Sequence, residues 1–105
     1  MEATALHFAA VARVLGDAAR ARKLVVPSFR SPPRLRGAAR TLRRWPDGGA
    51  TVSVEVTGRP REAVVADMVE GVVAANDVTG PDATRLRTAL WEAVLAADTA
   101  TARAA

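Results

Sequence analysis

The segment LRRWPDGGATVSV, residues 42–54, leaves the chain little freedom in how it folds. Pro46 suits the first corner of a type I turn, and Gly48 suits the left-handed position that follows, so Pro46-Asp47-Gly48 reads as a three-residue hairpin loop. A loop of that length joins strands at residues 39–45 and 50–57. It sets Leu42 against Val52, Arg40 against Val54 and Arg44 against Ala50. Side chains alternate along a strand, so Leu42, Val52, Val54 and Val56 then share one apolar face. A two- or four-residue loop would oppose Leu42 with Ser53 and scatter the apolar residues over both faces. The other face carries Thr41, Arg43 and Trp45 beside Thr51, Ser53 and Glu55. Trp45 is the odd residue of that polar face.

One apolar sheet face needs a cover, and the flanking sequence supplies helices. Residues 3–22 are amphipathic at helical period, with Phe8, Val11, Val14, Leu15 and Ala18 on one side. Arg13, Asp17 and Arg20 lie on the other side, spaced for Asp17 to bridge both arginines. LVVPSF is β-branched, and Pro27 restricts it to an edge strand or a strand end. RSPPRLRG, with two consecutive prolines, reads as an extended basic loop without a P-x-x-P motif. Pro60 and Glu62 mark the start of a second helix with Val65, Met68, Val69, Val72 and Ala75 on its core side. Asp67, Glu70 and Asp77 line its other side. Thr79 and Asp82 have the spacing of a capping box for a third helix. That helix is expected to run to about Ala97, with Leu86, Leu90, Ala93, Val94 and Ala97 inward and Trp91 and Leu95 on its flank.

The predicted architecture is a single α+β domain over residues 1–97 with a frayed tail at 98–105. Its order is α-β-β-β-α-α, and its three-stranded antiparallel sheet is covered by helices on one face. The helix–three-strand–helix portion resembles double-stranded-RNA-binding domains in element order. Arg61-Glu62 stands where that family carries a lysine pair at the start of its second helix.

Charge is unevenly spread. Between Arg13 and Arg61 there are twelve Lys or Arg against three acids, whereas from Glu62 onward three Arg face seven acids. The single Lys reflects a codon-biased composition, but the excess of base over acid does not follow from that bias. The asymmetry points to an anionic partner for the basic half, or to the two halves facing each other. The chain has no cysteine, which removes disulfides, thiolate zinc sites and thiol nucleophiles. The N-terminus lacks the basic region of a signal peptide, and no stretch approaches the roughly 18 apolar residues of a membrane span. The expectation is a cytoplasmic protein with no membrane contact.

Catalytic chemistry needs titratable groups gathered together. The only histidine, His7, falls on the apolar side of the first helix and reads as a packed or capping residue. Asp67 and Glu70 have a spacing that contributes to metal sites, yet without a second cluster they read as a solvated helix face. The expected protein is non-enzymatic, with no catalytic residues, metal or cofactor. Its candidate nucleic-acid contacts are Arg30, Arg34, Arg36, Arg40, Arg43, Arg44 and Trp45, cations for phosphates and an indole for a base. Arg59 and Arg61, flanking the start of the second helix, form a weaker anion-binding candidate. The alternative is a protein-interaction module or homodimer anchored by Trp45 or by Trp91 and Leu95.

Overall fold

Arginine and proline sort the strands of this molecule. A computed structural model of the chain describes residues 6–104. It contains α1 (Phe8–Ala21), β1 (Ser28–Arg30), β2 (Arg40–Arg44), β3 (Ala50–Val54), α2 (Arg61–Ala75) and α3 (Gly80–Ala104). The α+β class, the α-β-β-β-α-α order and the helix-covered sheet match the reading from sequence. Residues 3–5 of the first predicted helix lie outside the described residues, and α1 begins at Phe8.

The hairpin register is the one that a three-residue loop dictates: Arg40 opposite Val54, Leu42 opposite Val52, Arg44 opposite Ala50. Trp45 N–H donates to Gly49 O at 2.8 Å and Gly48 N–H to Trp45 O at 3.0 Å, closing the turn. Gly48 has φ of 92°, a left-handed value that a side chain would strain. The Asp47 carboxylate accepts from Gly49 N–H and locks the corner.

The sheet is not the all-antiparallel meander expected. Its strand order is β1-β3-β2, and β1 runs parallel to β3, pairing Phe29 with Val52. Thus the likeness to double-stranded-RNA-binding domains goes no further than element order. The physical reason lies in composition. β3 carries Val52 and Val54, both fully buried, with no proline and no charge within it, so it takes the centre. β1 follows Pro27 and β2 is rich in arginine, and both features belong at a sheet edge. The nine residues 31–39 are long enough to carry the chain past β3.

α2 is the centre of the molecule rather than an amphipathic cover. It touches β2 and β3 on one side and α1 and α3 on the other. Val64, Val65, Met68, Val69, Gly71, Val72, Val73 and Ala75 are all buried, an arc of roughly 200° at 100° per residue, more than half of the helix circumference. Gly71 lies against the central strand, where a Cβ would sit 2.5 Å from Val52 Cγ1. Its absent side chain lets helix and strand approach. α1 contributes Val11, Leu15, Ala18 and Ala19 to the same core, α3 contributes Ala83, Leu86, Leu90 and Val94, and Phe8 meets Phe29 edge-on at 6.4 Å. α3 continues as helix through residues 98–104, the segment expected to fray. Asp98 there accepts a hydrogen bond from Arg61 at 2.8 Å, which ties the first turn beyond Ala97 to the start of α2. No helix among the described residues is long and apolar enough to cross a membrane.

Candidate functional site

Strand parity divides the arginines. Even-numbered residues of β2 face α2, and odd-numbered ones face away from the helices. Arg40 Nη1 reaches Asp67 Oδ1 at 2.7 Å, and Arg44 Nη2 reaches Asp77 Oδ1 at 2.8 Å. Arg44 also donates to Ala74 O and Ala75 O, carbonyls of the last turn of α2. The spans agree: four residues of strand cover roughly 13 Å and the eight from Asp67 to the end of α2 roughly 12 Å, with Asp77 two residues beyond. β2 therefore runs alongside α2, clamped at both ends.

Two of the three carboxylates of α2, Asp67 and Glu70, are engaged by arginines. The Asp67 side chain, only 15 % exposed, accepts from Arg40 and also from Arg59 Nη2 at 2.5 Å. Glu70 holds Arg87 of α3 through two bonds, at 2.6 and 3.0 Å, and raises the Arg87 pKa above its ordinary value chiefly by that hydrogen bonding. Asp67 and Glu70 thus face different guanidinium groups. They form neither a metal pair nor the solvated face expected of them. The anion-binding candidate at the start of α2 is engaged as well. Arg59 donates to Glu55 O and Asp67, and Arg61 pairs with Asp98. The Arg61 Nε is buried without a partner. Four arginines of the first half are therefore paired with three aspartates of the second, within one molecule.

Arg30, Arg34, Arg36 and Arg43 have no carboxylate partner among the described residues. All four are exposed. Cross-strand pairing sets Arg30 beside Ser53 and Thr41, and Ser28 beside Thr51 and Arg43, on the face opposite α2. The loop carrying Arg34 and Arg36 crosses β3 on that same side, because Leu35 N–H donates to Glu55 Oε2 at 2.9 Å. Glu55, placed on this face by strand alternation, is half-buried under the loop and hydrogen-bonded to it. Sequence reasoning missed the tether because nothing local links residues twenty apart.

Trp45 closes the other end of the face. Its Nε1–H donates to Thr51 Oγ1 at 2.9 Å, and the Arg43 guanidinium carbon stands 4.3 Å from the ring centroid. The indole remains 40 % exposed. Trp91, the other aromatic anchor suggested by sequence, is half-buried against the core, while its neighbour Leu95 is 58 % exposed. His7 is exposed at the start of α1 with no side-chain cap bond, not packed. It lines a small cavity of about 70 Å³ with Arg61, Asp98 and Thr101 between α1 and α3.

No family model matches this chain, and neither the curated proteins nor the solved structures contain a detectable match. The functional reading therefore rests on the residues themselves.

Proposed function

We propose that this chain is a small, non-enzymatic nucleic-acid-binding protein that grips phosphate backbones with the open face of its sheet and the adjoining loop. The observation that carries the reading is charge segregation. Arginines facing α2 are paired with carboxylates, whereas Arg30 and Arg43 lie on the uncovered face, Arg43 over the exposed indole, and Arg34 and Arg36 are exposed on the adjoining loop. Unpaired guanidinium groups are strong phosphate donors, and the release of counterions from a polyanion favours their clustering. Arg40 and Arg44, candidates from sequence, belong to the scaffold in this reading.

The test is binding of labelled oligonucleotides across a salt series. Four phosphate contacts give a slope of log K against log salt of roughly −3 to −4. A response that stays flat overturns the proposal.

A second reading has its own observation: Leu95, 58 % exposed beside the half-buried Trp91, offers an apolar spot on α3 for a protein partner or a second copy. Mass measured by light scattering at two salt concentrations tests the homodimer, which a strict monomer at high protein concentration eliminates.

A further inference from the structure

The uncovered face is small and bounded at both ends. Loop 31–39 crosses at one end, tethered through Leu35 to Glu55. The Trp45 indole occupies the other, held by Thr51 and stacked by Arg43. Between them remain two cross-strand rows, Ser28–Thr51–Arg43 and Arg30–Ser53–Thr41. Two inter-strand spacings by one two-residue step make a platform of about 10 by 7 Å. That area suits one or two nucleotides. A duplex would meet both boundaries, and its bases, stacked and paired with each other, present no free face to an indole. A single strand offers its bases for stacking and bends at every residue.

We infer that the open face takes single-stranded nucleic acid, with one base stacked on the Trp45–Arg43 pair and the flanking phosphates held by Arg30 and the loop arginines Arg34 and Arg36. This rests on the phosphate-binding reading and narrows it. The bond from Trp45 to Thr51 orients the indole before any ligand arrives, which lowers the ordering cost of a base stacking there. Ser28, Thr41 and Ser53 line the platform with hydroxyls able to bond sugar or base edges.

The experiment compares four labelled ligands on the full chain at low salt: a single-stranded ribo-oligomer, its deoxyribo-counterpart, an abasic strand of equal length and the matching duplex. One or both of the base-bearing single strands should bind about fivefold to a hundredfold more tightly than the abasic strand. Trp45→Leu should erase that difference, and Trp45→Phe should retain part of it. Thermal unfolding of each variant verifies the fold, and the Phe variant supplies the test should the Leu variant fail to fold. Equal affinity for base-bearing and abasic strands, with steep salt dependence, overturns the single-strand inference and leaves phosphate binding standing. Tighter binding of duplex than of single strand overturns it too. Absence of binding to every polyanion removes both.

Discussion

Arg43 and Arg44 are sequence neighbours with opposite occupations. Arg43 lies on the uncovered face against Trp45, whereas Arg44 bridges to Asp77 and covers the terminal carbonyls of α2. A cation there adds donors to the last-turn carbonyls and complements the negative end of the helix dipole. Arg44→Ala should therefore lower stability by about 1–2 kcal/mol, read as a shift of the urea midpoint. Arg43→Ala should stay within about 0.5 kcal/mol, since its side chain is exposed and bonds no buried group. Asp67 is the more demanding residue, because its poorly exposed carboxylate holds Arg40 and Arg59 together. Asp67→Ala strands two guanidinium groups and should cost about 2–4 kcal/mol in the same measurement.

Between elements, the tightest joint is α2 on β3. Helix propensity alone would make Gly71→Ala favourable by about 1 kcal/mol. The added methyl, however, would meet Val52, which is fully buried and has no room to move. Overpacking of about 1–3 kcal/mol or more should prevail, so Gly71→Ala is expected to destabilise in chemical denaturation. Val52→Ala would create space for that methyl, and the double variant should be less destabilised than the sum of the single ones. Additive behaviour would count against the contact. The same joint explains why α2 is buried over more than half of its circumference. It is sandwiched between the sheet and the other two helices, a position that its length and composition do not announce.

Across the whole molecule, carboxylates of the acidic half pair with arginines of the basic half along the α2 side, whereas Arg30 and Arg43 on the opposite face have no carboxylate partner among the described residues. Stability and polyanion binding should therefore separate by mutation. Replacing Arg34, Arg36 and Arg43 together by Ala should abolish oligonucleotide binding with little change in unfolding temperature. Replacing Arg40 and Arg44 should lower stability while the salt slope of binding persists. A pair of variants that lost both properties together would contradict this division of labour.

What the sequence determined by itself was local and periodic. The Pro46-Asp47-Gly48 loop set the hairpin register, and alternation from that register assigned Leu42 to the core side and Arg43 and Trp45 to the open side. The three helices and their order were legible from apolar spacing and proline positions. Tertiary structure alone decided the insertion of β3 between β1 and β2, the burial of α2 between the sheet and the other helices, and the sorting of arginines into paired and free. Those outcomes depend on contacts between residues such as Arg40 and Asp67, or Leu35 and Glu55, which lie twenty or more positions apart. Charge counts along a chain record how many cations there are. Only the packing of helix against sheet determines which of them meet a carboxylate.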